Sequence, residues 1–154
     1  MPKFQGSGVV AIALVALLLS GCSVKEDVEH ERRANLNSAV NEFDPGSIGP
    51  TSCNVAGGSI EPQRGFTRLI VFEGADLWQA VADRFTDLSY KGTASDPYLT
   101  MSRKDGIIVA GRLINSPEDQ PDLTPELLAK GCKIPTEGAV MVQFEERAVP
   151  IGGN

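Results

Sequence analysis

The sequence predicts a mixed α+β domain whose antiparallel sheet carries helices on one face. Three observations predict it: four segments rich in β-forming residues, two helical patterns placed between them, and a Lys-Asp-Gly turn that joins the middle strands. The 154 residues leave room for one domain. Strand, helix, strand, strand, helix, strand is the βαββαβ order of a ferredoxin-like sandwich, with a four-stranded sheet and two helices. The alternative is another α+β sheet arrangement, in which an N-terminal helix also packs.

The individual elements follow from local patterns. The strands are predicted at 66–72, 98–103, 107–114 and 139–146, where β-branched and aromatic residues concentrate. Asp76 is expected to cap a helix that ends near Ser89, because apolar residues recur along it at helical spacing. Thr124 and Pro125 predict the start of a short second helix, and Gly131 predicts its end.

The chain before the first predicted strand divides in two. Residues 22–43 are highly charged at first and then carry apolar residues at helical spacing, so they predict a charged helical stalk next to a membrane, the second half of which packs on the domain. A disordered segment is the alternative for residues 23–34. Residues 44–65 are rich in Gly, Pro and Ser and predict a loop. The α+β domain is then expected at 66–147 and a loose tail at 148–154.

The first 22 residues carry a targeting pattern. Lys3 precedes an apolar run at 9–19, which is too short to span a membrane, and Leu19-Ser20-Gly21-Cys22 follows. This order resembles bacterial prolipoproteins, whose lipobox ends in an invariant Cys. The resemblance implies that residues 1–21 are a signal peptide, that cleavage falls between Gly21 and Cys22, and that Cys22 carries a diacylglycerol. Export and anchoring on the outer face of the cell membrane, or in the periplasm of a host with an outer membrane, are then expected.

If lipid occupies Cys22, two cysteines are left. Cys53 and Cys132 are expected to form a disulfide, because an exported domain folds in an oxidising compartment. The bridge would close a loop of about 80 residues and stabilise the fold by roughly 4 kcal/mol. A redox-active or metal-binding thiol pair is the alternative, but the chain has no Cys-x-x-Cys spacing.

The sequence shows little catalytic chemistry. His30, the single histidine, lies in the charged segment, so a Ser-His-Asp site or a multi-histidine zinc site on the folded domain is excluded. The net charge of −6 argues against nucleic-acid partners. Four acids, Glu118, Asp119, Asp122 and Glu126, lack the spacing of a calcium loop and are expected to be solvated. We expect no enzyme activity, no cofactor and no metal.

One face of the predicted sheet is not covered by its own two helices. Such a face must be polar, be covered by another segment, or bind a partner. Five polar residues stand among apolar ones on the predicted strands and are the candidate partner face: Arg68, Thr100, Ser102, Arg112 and Gln143. The competing hypothesis is that residues 35–43 lie across this face.

Lipid anchor, charged helical segment and two further cysteines together resemble the layout of small actinobacterial lipoproteins of the LppA type. The expected function is that of a non-enzymatic interaction or accessory protein of the cell envelope, with an envelope protein as partner. The alternatives are a lipoprotein that binds lipid or another small molecule, and a prophage lipoprotein that excludes superinfecting phage.

Overall fold

A six-stranded antiparallel sheet is the centre of the computed structural model, which describes residues 28–57 and 65–146. The strands are β1 (Thr51–Gly57), β2 (Phe66–Glu73), β3 (Lys91–Ser95), β4 (Tyr98–Ser102), β5 (Ile107–Ile114) and β6 (Ala139–Glu146). The helices are α1 (28–43), α2 (Pro45–Ile48), α3 (Trp78–Asp87) and α4 (Pro125–Ala129). Short 3-10 turns span Ala75–Leu77 and Pro117–Asp119.

The α+β class and the antiparallel sheet are confirmed, whereas the ferredoxin-like arrangement is wrong. The strand order is β1-β2-β6-β5-β4-β3, so β6 pairs with both β2 and β5, and two edge strands extend the predicted four. The sequence does not reveal β3 because all five of its residues are exposed, and an exposed edge strand shows no alternation of apolar and polar residues.

The first layer of helices packs on one face of the sheet. α1 contributes Leu36, Ala39, Val40 and Phe43 to the same core as α3, and the Phe43 and Phe85 rings stack with centroids 4.4 Å apart. The predicted helix over 35–43 is therefore present, and the alternative arrangement with a packed N-terminal helix is the observed one. The second half of α1 belongs to the core, as predicted for the end of the charged N-terminal segment.

The start of α3 differs from its prediction. Asp76 lies in the 3-10 turn, and Leu77 takes the N-cap position with no side-chain hydrogen bond. Asp76 therefore does not cap this helix. The apolar stripe of α3 is as predicted, since Val81, Ala82 and Phe85 are buried.

The second face of the sheet is covered over part of its width by the connection between β5 and β6. Leu123, Leu127 and Ile134 of this connection pack on a smaller core of β1, β2, β5 and β6 side chains. In α4, the Thr124 side chain accepts a hydrogen bond from the Leu127 amide, as the predicted cap requires, and Gly131 follows the helix with a φ of 81°. α4 thus lies opposite α3, and not beside it as a ferredoxin-like fold requires.

Cys53 and Cys132 join this connection to the sheet. Their Cα atoms are 4.8 Å apart across a sequence separation of 79, and the sulfur atoms lie at disulfide-bonding distance, as the cysteine count predicts. Cys53 belongs to β1, so residues 44–65 are not simply a loop. They contain α2 and an edge strand that the bridge holds in place.

Several predicted features lie outside the described residues. They are the signal peptide 1–21, the Gly21–Cys22 cleavage site with its lipidated cysteine, and the tail 148–154.

Candidate interaction surface

The uncovered part of the second sheet face is made of β3, β4, β5 and the middle of β6. Strand register shows which side chains share it, because residues directly opposite each other on paired strands point the same way. Tyr98 lies opposite Arg112 and Ser95, while Thr100 lies opposite Thr93. We call this surface the polar sheet face: Lys91, Thr93, Ser95, Tyr98, Thr100, Ser102, Arg112 and Gln143.

Alternation along each strand separates this surface from the core. In β4, Leu99 and Met101 are buried beneath the helices, whereas Tyr98, Thr100 and Ser102 are exposed. Hydroxyl side chains dominate the exposed set, and Gln143 extends it onto β6. Such a face can be hydrated when it is exposed, and it carries many groups that could form hydrogen bonds to a partner.

Tyr98 and Arg112 form the most distinctive contact on the polar sheet face. The Tyr98 side chain is 60% exposed, and the Arg112 guanidinium carbon lies 5.9 Å from its ring centroid. The Arg112 Nε is buried and has no hydrogen-bond acceptor within the described parts of the chain. Tyrosine and arginine are enriched among the residues that dominate binding energy at protein interfaces. An acceptor brought by a partner would also relieve the cost of the unpaired Nε–H.

The structure brings together four of the five residues predicted for a partner face. Thr100, Ser102, Arg112 and Gln143 all belong to the polar sheet face. Arg68 lies on the opposite face, because it sits across from Phe144, and its Nε donates a hydrogen bond to Asn54 Oδ1 at 2.7 Å. The prediction for Arg68 is therefore wrong. Because β2 buries residues on both faces, the sequence around Arg68 does not indicate which face its side chain takes.

Sequence reasoning missed Tyr98 and the whole of β3. On β4, the apolar residues Leu99 and Met101 alternate with Tyr98, Thr100 and Ser102. That period of two was available from the sequence. β3 offered no such signal. The hypothesis that residues 35–43 cover the open face is wrong, since Leu36, Val40 and Phe43 pack on the helical face.

Charged and aromatic contacts hold α1 onto the sheet. Arg103 binds Glu42 of α1 at 2.5 Å and Asp105 of the β4–β5 turn at 2.6 Å, and its guanidinium carbon lies 4.9 Å from the Tyr90 ring centroid. Near the other end of α1, Arg32 Nε bonds Glu146 at 2.7 Å, and Arg33 lies 4.2 Å from the Phe66 centroid. These contacts fix the orientation of α1 along its length.

Burial and hydrogen bonds shift the pKa values of three groups in these contacts. Burial raises the pKa of the Tyr90 hydroxyl to about 12. Burial would also raise the pKa of the Asp105 carboxyl, but hydrogen bonds donated by Arg103 and the Ile107 amide outweigh it and lower that pKa. The hydrogen bond to Asp105 is the main reason that the Arg103 pKa is raised. A permanently charged guanidinium and a protonated phenol supply no general base at neutral pH.

The histidine and the remaining acidic side chains lie at several separate places in the described structure. Within residues 28–57 and 65–146, no three His, Cys, Asp or Glu side chains are placed to hold a metal ion. Glu126 forms an ion pair with Lys130 at 2.7 Å, and His30 is exposed on α1. Glu73 and Asp76 line a surface depression of about 640 Å³ together with Glu137.

None of the described helices is both long enough and apolar enough to cross a bilayer. No protein-family model, no curated protein sequence and no solved structure matches the chain.

Proposed function

We propose that the protein is an exported lipoprotein, anchored by a diacylglyceryl group on Cys22, that acts as a non-enzymatic interaction or accessory protein of the cell envelope. The observation that carries the anchor is the ordered pattern of Lys3, the apolar run 9–19 and Leu19-Ser20-Gly21-Cys22. Two acyl chains on one residue give stable membrane attachment, which one chain does not.

The position of α1 determines how the anchor would hold the domain. The described part of α1 starts at residue 28, six positions after Cys22, and its second half belongs to the core. Six residues span at most about 20 Å when fully extended. A lipid on Cys22 would therefore keep the folded domain close to the bilayer. Partners within reach would be membrane proteins or other proteins held near the membrane surface.

The polar sheet face is the surface that we propose for the partner. It combines an exposed tyrosine, a neighbouring arginine with an unpaired Nε–H and a surround of serine and threonine hydroxyls. An aromatic and arginine centre with a polar rim is the usual anatomy of a protein interface.

The alternative of a lipid-binding or small-molecule-binding lipoprotein requires an apolar cavity between sheet and helices. That layer is filled by aromatic rings, since Phe43 contacts Phe72, Phe85 and Phe144 at centroid distances of 4.4–6.1 Å. The packing therefore favours a partner on the surface over a ligand in the core. No residue of the chain favours the phage-exclusion alternative.

The anchor and the interaction can be tested in the same cells. Wild type and Cys22→Ala would be grown with a labelled fatty acid, cross-linked and recovered by pull-down. We expect label in wild type only, and one stoichiometric envelope protein that is lost or reduced with Cys22→Ala. Wild type without label would refute the anchor. Labelled wild type without any cross-linked protein would refute the interaction role.

A further inference from the structure

The two edges of the sheet are protected differently. At β1, the Lys130 ammonium donates to the Ala56 carbonyl at 2.7 Å, and the Ser52 hydroxyl donates to the Lys133 carbonyl at 2.7 Å, so residues 130–133 lie along that edge. At β3, all five residues are exposed and no side chain from the described segments hydrogen-bonds to the strand. An unprotected edge is a template for pairing with another strand.

Hairpin geometry identifies the backbone groups that this edge presents. Asp96 and Pro97 form a two-residue loop between Ser95 and Tyr98, which lie opposite each other. Residues that flank a two-residue loop normally form a hydrogen-bonded pair, and such pairs alternate with non-hydrogen-bonded ones along antiparallel strands. Thr93 then bonds inward to Thr100. The N–H and C=O groups of Gly92 and Ala94 point outward.

We propose that β3 pairs antiparallel with β3 of a second copy of this chain, with Thr93 of the two copies at the two-fold axis. In this register, Gly92 of each copy lies opposite Ala94 of the other, so all the outward backbone groups are matched. The two six-stranded sheets become continuous. An isologous contact of this kind closes on itself and does not propagate.

Charge and size complementarity favour a second copy as the occupant. Lys91 begins β3 and Asp96 follows its end, so antiparallel pairing sets the cation of each copy beside the Ser95–Asp96 end of the other, twice. Between these ends the strand carries only Gly, Thr and Ala, which leave room for close approach. The pairing depends on the fold and does not rest on the lipid anchor.

The test uses a cysteine at the two-fold axis. Two residues opposite each other in a non-hydrogen-bonded pair have Cα atoms about 4.5 Å apart, within disulfide range. Full-length Thr93→Cys would be oxidised mildly in whole cells and run without reductant. We expect a dimer of this chain at least tenfold above that of Thr100→Cys, which is also exposed and lies one strand inward. Wild type reports any linkage through other cysteines.

A second pair of variants separates edge pairing from chance collision. In the Thr93→Cys background, Ala94→Pro removes an outward N–H, whereas Ala94→Val keeps it. We expect at least a fivefold loss of dimer with Ala94→Pro and little change with Ala94→Val, with unchanged circular dichroism for both. Equal cross-linking by Thr93→Cys and Thr100→Cys, absence of a dimer, or linkage of Thr93→Cys mainly to a different protein would each overturn the proposal.

Discussion

The two faces of the sheet differ in what covers them. The face under α1 and α3 is a continuous apolar core, with Phe43, Phe72, Phe85 and Phe144 all fully buried. The other face is divided between a small core beneath the disulfide-bonded connection and an exposed polar half. The residues that stabilise the fold and the residues proposed for binding therefore occupy different surfaces. Substitutions on the helical face should unfold the domain, while substitutions on the polar sheet face should leave it folded.

The largest effect is expected on the helical face, at Phe43. Truncation by Phe43→Ala removes a ring that contacts three other aromatic rings and leaves a cavity in a packed layer. Replacing a buried phenylalanine by alanine costs about 3–5 kcal/mol. Urea unfolding of wild type and Phe43→Ala at neutral pH measures this difference in the free energy of unfolding. A loss under about 0.5 kcal/mol, the usual cost at an exposed position, would show that α1 is not part of the core.

A smaller loss is expected from the bridge on the second face. The double variant Cys53→Ser, Cys132→Ser should lower the free energy of unfolding by about 3 kcal/mol. This loss is within the usual range for removing a native disulfide and is smaller than the roughly 4 kcal/mol expected from chain entropy. Residues 115–138 should lose amide protection most, because the bridge holds this connection on the sheet. Hydrogen exchange measures both effects. Uniform loss of protection across the molecule would contradict the local role.

A pH-dependent effect is expected at Tyr90, at the edge of the helical core. Its hydroxyl is buried without a hydrogen-bond partner among the described residues, so Tyr90→Phe should be nearly neutral at pH 7. The folded-state pKa of about 12 exceeds the ordinary value of 10.0, so the stability linked to Tyr90 is complete below pH 10 and is lost as pH rises through 12. Between pH 7 and pH 11, the free energy of unfolding from urea curves should fall by up to about 1 kcal/mol more for wild type than for Tyr90→Phe. The same pH dependence of stability in both proteins would contradict the raised pKa of Tyr90.

The smallest effect on stability is expected on the polar sheet face. Tyr98→Ala removes a 60% exposed ring and should change the free energy of unfolding by less than about 0.5 kcal/mol. Recovery of the envelope partner in the pull-down should nevertheless fall several-fold, because an exposed aromatic beside an arginine is a typical energetic centre of an interface. The matched control is Leu128→Ala, which truncates an exposed apolar residue of α4. Equal recovery with both variants would remove Tyr98 from the interface.

Apolar periodicity carried most of the fold prediction. The segments that became β2, β4, β5, β6 and α3 bury one face or both, so their patterns were visible. Edge strands bury little, and β3 left no pattern. The strand order was not predictable, because the pairing of β6 with both β2 and β5 is a long-range contact that local periodicity does not encode.

The candidate surface was partly predictable for a similar reason. On the half-buried strand β4, the alternation of polar residues with buried Leu99 and Met101 is sufficient to assign Thr100 and Ser102 to the face away from the helices. On β2, which is buried on both faces, the face of Arg68 depends on its parity with Phe66 and Ile70, and both parities are apolar there. Polar residues are therefore informative about a face only where the other residues of their strand already distinguish the two faces.

Site-specific photo-cross-linking tests the central contrast most directly. A photoreactive amino acid would replace Thr100 on the polar sheet face or Ala80, an exposed residue of α3 on the helical side, in full-length chains that are expressed in native cells. The proposal predicts a discrete cross-link to an envelope protein from position 100 and none from position 80. A cross-link from position 80 with none from position 100 would place the partner on the helical side and contradict the proposed division between the two faces.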